Sequence, residues 1–251
     1  MTRLSLIMPY YMNPGMLELQ YERWAKYSQD IKGAIDVVLV DDGSPKHRAA
    51  DVPRPAGLPP LSIYRVKKDI PWNQHGARNL GAKIAQGDWL LLTDMDHAVP
   101  EESMVTLLNR TRREAKKECS RNAVYTFDRV DYPTMQPTRR PDGSHKPHPN
   151  TFFLTKSMYW EIGGYDEEYC GIYGTDGLFR HRMRERALVK HLNGVQIIRY
   201  GREHVADAAT TTLPRKEGKF RLPTKRIKEQ KVQEGRRHDI LIINFEWEQV
   251  L

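Results

Sequence analysis

The chain predicts an α/β domain with a mostly parallel central sheet flanked by helices. Three observations carry that prediction. Short apolar runs alternate with segments of helical periodicity through the first half. Residues 35–40 are almost continuously apolar, as expected of a parallel strand covered on both faces. Asp41, Asp42, Asp94 and Asp96 follow such runs, and ligands of α/β sheets sit at the carboxyl ends of strands.

Residues 4–8 read as a first strand, stopped by Pro9. Asn13 and Pro14 start a helix, with Asn as N-cap and Pro in the first turn. Leu17, Tyr21, Trp24 and Tyr27 continue it at helical spacing over residues 16–31. Strand 35–40 ends in the turn Asp41-Asp42-Gly43-Ser44-Pro45. A Pro-rich linker at 53–60 leads to a short strand at 61–66. Residues 73–86 read as a helix with Gly87 as its stop. The next strand is the apolar run that ends at Asp94. A charged helix follows at 101–121, then a strand at 123–127. Residues 132–150 are rich in Pro and His and read as a long loop, a length associated with functional lids or disorder. A strand at 151–154, a short helix at 157–162, a helix at 174–186 and a strand at 195–200 complete the pattern. No internal repeat interrupts it.

With 251 residues the chain can bury a sizeable core as one domain, or one domain with an extension. It has no apolar run near the length of a membrane span, and its N-terminus reads as a strand rather than a targeting segment. Two cysteines, Cys119 and Cys170, exclude a disulfide framework and a cysteine metal cluster. A reducing, cytoplasmic compartment is the expectation. The net charge of +8 is uneven: residues 215–238 hold ten Lys and Arg against three Glu. Such a segment meets nucleic acid, an anionic membrane surface or an acidic partner, or is a solvated helix.

The chemistry concentrates in five places. In Asp88-Trp89-Leu90-Leu91-Leu92-Thr93-Asp94-Met95-Asp96-His97 an apolar run ends in two carboxylates and an imidazole. Carboxylates at i and i+2 can converge on one hard divalent cation. Asp96 is the expected direct ligand, with Asp94 at the ribose or reaching the metal through water. His97 is a ligand, a phosphate contact or a cap on the following turn. Asp42 can accept from the N3–H of uracil or from a ribose hydroxyl, or serve only its turn. Arg78, near the start of its helix, can meet a diphosphate, with Gly76 and Gly81 permitting close backbone approach. Asp176 ends a Gly- and Tyr-rich loop. It is a helix cap or a general base that deprotonates an acceptor hydroxyl. Tyr165, Tyr169 and Tyr173 of that loop can stack on a base or a sugar ring. His204 would complete a metal shell begun by Asp96, or is an ordinary core or solvent histidine.

In their order, these segments resemble family 2 glycosyltransferases of the GT-A fold. The matching pieces are Leu6-Ile7-Met8-Pro9-Tyr10-Tyr11, Val38-Leu39-Val40-Asp41-Asp42-Gly43-Ser44, Gly76-Ala77-Arg78-Asn79-Leu80-Gly81 and Leu91-Leu92-Thr93-Asp94-Met95-Asp96. Phe152-Phe153-Leu154, Gly163-Gly164-Tyr165-Asp166 and Gly174-Thr175-Asp176 are similar to the acceptor half of chondroitin-polymerase-like and β-1,4-galactosyltransferase-like enzymes. The resemblance spans residues 3–205. It implies a glycosyltransferase domain over 1–205, with a nucleotide-sugar half (1–98) and an acceptor half (99–205), followed by a basic extension, 206–251. It implies a nucleotide-sugar donor, often UDP-linked, and a Mn²⁺ or Mg²⁺ ion. By the same resemblance Pro9, Tyr11 and Asp42 surround the base, Arg78 and Asp94 hold the nucleotide, Asp96 and His204 bind the metal, and Asp176 is the catalytic base. Transfer would invert the anomeric carbon in a single displacement. One departure is plain: Thr175 stands where the acceptor motif carries a second acid.

The acceptor expected first is a hydroxyl on a glycan. The alternative is a nucleic acid, such as a hydroxymethylated DNA base, with residues 110–121 and 215–237 tracking phosphates. The third reading is a non-catalytic nucleotide- or carbohydrate-binding module.

Overall fold

The computed structural model describes residues 4–114, 122–172, 174–210 and 221–251. In chain order its main elements are β1 (Leu4–Tyr10), α1 (Pro14–Ala25), α2 (Gln29–Ala34), β2 (Ile35–Asp41), β3 (Leu61–Val66), α3 (Gln74–Ile84) and β4 (Trp89–Leu92). Then come β5 (His97–Ala98), α4 (Glu101–Glu114), β6 (Ala123–Asp131), β7 (Gln136–Pro137), β8 (Phe152–Thr155) and α5 (Lys156–Ile162). The last are α6 (Asp176–Arg186), β9 (Leu188–Arg199), α7 (Arg221–Gln233) and β10 (Trp247–Gln249).

All ten strands form one sheet in the order β10-β3-β2-β1-β4-β8-β6-β9-β5, with β7 paired to β6. The block β3-β2-β1-β4 is parallel throughout. β8 runs antiparallel between β4 and β6, β9 lies parallel to β6, and β10 and β5 close the edges antiparallel. The sheet is therefore parallel in the first half and mixed in the second.

Side-chain alternation sorts the apolar runs onto two faces. Leu4, Leu6 and Met8 of β1, Val37 and Leu39 of β2, and Trp89 and Leu91 of β4 join α1 and α4 in one core. Ile7, Val38, Val40, Leu90 and Leu92 point the other way and pack with α3, α5 and α6. All seven residues of β2 are buried, which is why its sequence shows no amphipathic alternation. In α3, a Cβ at Gly81 would collide with the Ile7 side chain, so that glycine sets how close helix and strand approach.

Several boundaries differ from the sequence reading. β1 runs through Pro9 to Tyr10. Thr93 N donates to Ile7 O (3.1 Å) as β4 ends, so Pro9 lies beyond the β4 ladder and costs it no hydrogen bond. The expected helix 16–31 is two helices, α1 and α2. Asn13 occupies the N-cap position of α1, but its side chain does not cap the helix. Asp207 does so from far along the chain, its carboxylate accepting from Gly15 N (2.7 Å) and Met16 N (2.9 Å). Of the expected helix 101–121, residues 115–121 lie outside the described residues, and α4 covers Glu101–Glu114. The loop 132–150 carries β7 and a bridge between Arg139 and His145. β9 begins at Leu188 rather than 195, because its exposed first half pairs with β6 without an apolar signature.

The C-terminal extension returns to the sheet. β10 pairs with β3, and Phe245 and Trp247 pack against the second core. Lys231 of α7 is 3% exposed and lies 2.7 Å from both Asp166 and Glu168. Arg236 pairs with Glu168 at 2.6 Å. Glu167 accepts from Ile243 N (2.6 Å) and Asn244 N (2.9 Å). Two cations of the basic segment are thus spent on the acidic turn 166–168. Removing one partner of a buried ion pair leaves the others uncompensated, so Lys231→Ala should lose about 3–5 kcal/mol of stability in urea unfolding. A loss below about 1 kcal/mol would mean that other contacts hold the extension in place.

Candidate active site

The carboxyl ends of β1, β2 and β4 open into a cleft of about 590 Å³. Pro9, Tyr11, Asp42, Asp94, Asp96 and Asp176 all line it. Tyr11, Asp42 and Asp94 follow the carboxyl ends of β1, β2 and β4, as the topology of a parallel sheet dictates, and Asp176 joins them from the start of α6.

At one end, the two adjacent aspartates divide the work. Asp41 accepts from Ser44 N and Ala49 N, both at 2.8 Å, and holds the turn. Asp42 faces the cleft, and its buried Oδ1 takes no hydrogen bond among the described residues. Burial raises its pKa well above the usual carboxylate range, with Asn73 opposing the shift. Such an acceptor seeks a donor N–H or O–H. The Tyr11 hydroxyl donates to Asp69 (3.1 Å), and burial with that bond pushes its pKa up to about 12. Trp72 adds an aromatic face to the same end.

Beneath the middle of the cleft lies Arg78. Its side chain is fully buried and does not line the cleft. It pairs directly with Asp94 Oδ1, donates to Gln74 Oε1 (2.6 Å) and sits 5.3 Å from the Tyr165 ring centre. Arg78 therefore holds Asp94 from below. The close approaches at Gly76 and Gly81 are to Asn73, Phe245 and Ile7, all protein groups.

The turn carrying Asp94 and Asp96 is fixed from three sides. Buried Gln20 donates to Met95 O and His97 O, both at 2.9 Å. Tyr200 N donates to Asp96 O at 2.9 Å. His97 Nδ1 lies 2.7 Å from Asp96 Oδ1, while its Nε2 is buried with no hydrogen-bond partner among the described residues. His148 packs on His97 with ring centres 3.8 Å apart, and its Nε2 is 3.5 Å from Asp94 Oδ2. Burial, with His97 and three arginines nearby, pushes the His148 pKa well below the usual histidine range.

His204 is placed elsewhere. Its Nε2 is 4.0 Å from Glu203, its ring stands edge-on to Tyr132, and it does not line the cleft. The imidazoles that reach Asp96 and Asp94 are those of His97 and His148. Asp94, Asp96 and a histidine do not form a three-ligand cluster among the described residues. Two carboxylates facing a cleft do suit Mn²⁺ or Mg²⁺, which take one or two carboxylates and complete their shell with substrate phosphates and water.

Asp176 opens α6 at the far end of the cleft. Its Oδ2 is 3.3 Å from Arg180. Burial raises its pKa, the arginines at 180 and 78 oppose this, and Asp94 adds to it. Thr175 is buried and donates to Ile172 O (2.9 Å), so it anchors the loop behind Asp176. Tyr165 and Tyr169 are not free platforms. Tyr165 is 1% exposed and stacks on Phe179 at 4.3 Å, and Tyr169 is 4% exposed. Tyr173 lies outside the described residues. The aromatic side chains of the cleft wall include instead Tyr10, Tyr11 and Trp72.

Several cleft residues carried no clear signal in the sequence. His148 and Asn150 come from the Pro- and His-rich loop, whose histidines were the available hint. Arg129 and Arg199 face the cleft from β6 and β9, where they read as ordinary polar alternation. Ala208, Ala209 and Thr210 close one side, and Thr210 Oγ1 donates to Tyr11 O at 2.9 Å.

Comparison with known proteins places the chain in a family and a fold. A family model described as "Glycosyl transferase family 2" matches residues 5–177. Undecaprenyl-phosphate 4-deoxy-4-formamido-L-arabinose transferase of Proteus mirabilis is 26% identical over 106 residues, 42% of this chain and 32% of that protein. Its namesake from Yersinia enterocolitica is 26% identical over 107 residues, 43% of this chain and 33% of that protein. The match thus spans about a third of the length of these relatives. Among solved structures, S. aureus TarS 1–349 superposes with a TM-score of 0.60 at 16% identity, covering 82% of this chain and 63% of the other. GalNAc-T7 with UDP, GalNAc and Mn²⁺ superposes with a TM-score of 0.57 at 15% identity, covering 80% and 44%. These likenesses show the fold, which is that of GT-A glycosyltransferases. Matched over most of its length, the chain belongs to glycosyl transferase family 2 and has the GT-A fold.

Proposed function

We propose that the protein transfers a sugar from a nucleotide diphosphate, UDP first among candidates, to a hydroxyl on a glycan, with inversion at the anomeric carbon. The observation that carries this reading is that Asp42, Asp94, Asp96 and Asp176 line one cleft. Asp42 offers an unsatisfied acceptor to the base or ribose. Pro9, Tyr11 and Trp72 give that end of the cleft its walls. Asp94, held by Arg78, and Asp96 would hold Mn²⁺ or Mg²⁺ together with the donor diphosphate. When bound, that ion offsets the negative charge that develops on the leaving diphosphate. His148 and the guanidiniums of Arg129 and Arg199 add donors to the same wall. Asp176 takes the proton of the acceptor hydroxyl as that oxygen attacks.

Lys231 and Arg236 are committed to the turn 166–168, and Lys225 lies 3.6 Å from Glu229. That weighs against a basic extension poised to track nucleic-acid phosphates and favours the glycan. No helix among the described residues is long and apolar enough to cross a membrane.

Incubation with Mn²⁺ and individual UDP-, GDP- and TDP-sugars, followed by nucleotide release, should show turnover for one donor. Chelation and Asp96→Ala should each abolish it. Oligosaccharides, hydroxymethylated DNA and a polyprenyl phosphate, added in separate arms, should leave the saccharide arm alone faster than donor hydrolysis. Asp176→Asn should lower kcat by about 10²–10⁴-fold. Retention of kcat within tenfold would remove Asp176 from the role of base.

A raised pKa also fixes the sign of two pH effects. Asp176 is protonated at higher pH than an ordinary carboxyl, so the base form disappears as pH falls through that raised value. The acid limb of kcat should therefore lie above the ordinary aspartate range near 4 and be lost in Asp176→Asn. Above the unfolded pKa, a raised native pKa opposes folding. Asp176→Asn should therefore leave Tm equal or higher at neutral pH, whereas a fall in Tm would contradict the burial argument.

A further inference from the structure

Three metal-ligating side chains meet away from the cleft wall. Asp128 stands on β6, His191 on β9, and His145 on the segment between β7 and β8. One ligand atom from each lies within 4.8 Å of the other two. His145 Nδ1 is 2.5 Å from Asp128 Oδ1, and His191 Nε2 is 3.9 Å from Asp128 Oδ2. The two imidazoles stack with centres 3.9 Å apart. His191 Nε2 is buried and takes no hydrogen bond among the described residues. The His145 side chain is 42% exposed, so an ion has a route in from solvent.

Two further observations point at the same spot. The β6–β9 ladder breaks there: Thr126 faces His191, yet Asp128 faces Gln196. The excess residues of β9, 192–195, break the register and include Gly194 at φ +79°. Bulges of this kind re-aim side chains and cluster near functional sites. The hydrogen bonding is also mismatched. Arg139 Nη1 lies 2.6 Å from His145 Nδ1, the same nitrogen that touches Asp128. A ring nitrogen either carries a proton or offers a lone pair. If Nδ1 is protonated, it opposes the Arg139 N–H. If it is bare, it opposes the Asp128 oxygen. A cation held between Nδ1 and the carboxylate removes the conflict and takes over the charge that Arg139 supplies.

We propose that Asp128, His145 and His191 bind a divalent transition-metal ion of the zinc class, separate from Asp94 and Asp96. Two imidazoles and one carboxylate form a borderline-soft set that suits Zn²⁺ and leaves a fourth position for water. Arg139 swings out when the ion enters. The ion ties the segment between β7 and β8 to β6 and β9. Three residues beyond His145, that segment delivers His148 to the cleft, so the site positions the cleft wall rather than reacting there. The binding claim stands whether or not the chain transfers a sugar.

The test uses the full chain, stripped with chelator, in an Asp96→Ala background that disables the cleft carboxylates. Co²⁺ serves as the spectroscopic probe and Zn²⁺ as the competitor. One equivalent of Co²⁺ should bind with visible d–d bands, be displaced by Zn²⁺, and raise Tm. Adding His191→Ala should weaken binding by more than about tenfold and remove the Tm shift. Adding Arg139→Ala instead should tighten Zn²⁺ binding, because a competing cation is gone. Absence of Co²⁺ bands, or bands unchanged by His191→Ala, would overturn the proposal. Should the His191 variant fail to fold, unchanged or weaker Zn²⁺ binding by the Arg139 variant would overturn it equally.

Discussion

The site rests on one buried ion pair. Arg78 has no exposed side-chain surface, and its guanidinium meets Asp94 at the floor of the cleft. Burying a guanidinium is costly unless a carboxylate and hydrogen bonds compensate it. Asp94, Gln74 and the Tyr165 ring do so. Burial would lower the Arg78 pKa, and Asp94 reverses the sign, so the charge is retained. The consequence is geometric. Asp94 cannot turn away without leaving a bare cation in the core, so its second oxygen stays directed toward His148 and the cleft. The glycyl approach at position 81, the Gln20 clamp and the stacked Tyr165 and Phe179 all support the elements that carry this pair.

The second constraint is the return of the chain end. Asp207 caps α1, Thr210 bonds to the backbone of Tyr11, and residues 208–210 form one side of the cleft. Further on, Lys231 neutralises the turn that precedes Asp176, and β10 closes the sheet edge beside β3. The segment that the sequence marks as a basic extension is therefore structural in large part. Its charge offsets an acidic turn whose carboxylates also bind backbone N–H groups. His75, neutral because burial drives its pKa down to about 3, packs under the same turn against Tyr165.

The fold was legible where local pattern and tertiary fate agree. The run at 35–40 and the abrupt end of the β4 run could be read because burial on two faces removes most polar residues from central parallel strands, and the strand at 61–66 because a Pro-rich linker marks its start. From these strand ends followed the gathering of Asp42, Asp94 and Asp96. Asp176 was legible through its glycine-rich approach and its place at a helix start. What failed was long-range or side-chain specific. Nothing local in Asn13 announces that Asp207 will do the capping. The exposed half of β9 has no apolar alternation, and Arg129 and Arg199 look like surface residues of a strand. Tyr165 and Tyr169 sit beside glycines as a binding loop would, yet both are buried, Tyr165 against Arg78 and Tyr169 beside Lys231. His204 sits just past the strand expected at 195–200, but its ring turns to Tyr132, and His148 from a loop occupies the neighbourhood of Asp94 instead.

The measurement that tests the account most directly is metal-dependent UDP binding by calorimetry in Arg78→Lys and Asp94→Asn, singly and together. A lysine keeps the charge but cannot fix the carboxylate through a planar fork. If the buried pair orients the metal–diphosphate site, each single variant should weaken binding by about tenfold or more, and the double variant should be little worse than either. Thermal unfolding of each variant separates this from loss of fold. Binding within twofold of the parent in a folded Arg78→Lys protein, or losses that simply add, would contradict the claim that Arg78 acts through Asp94.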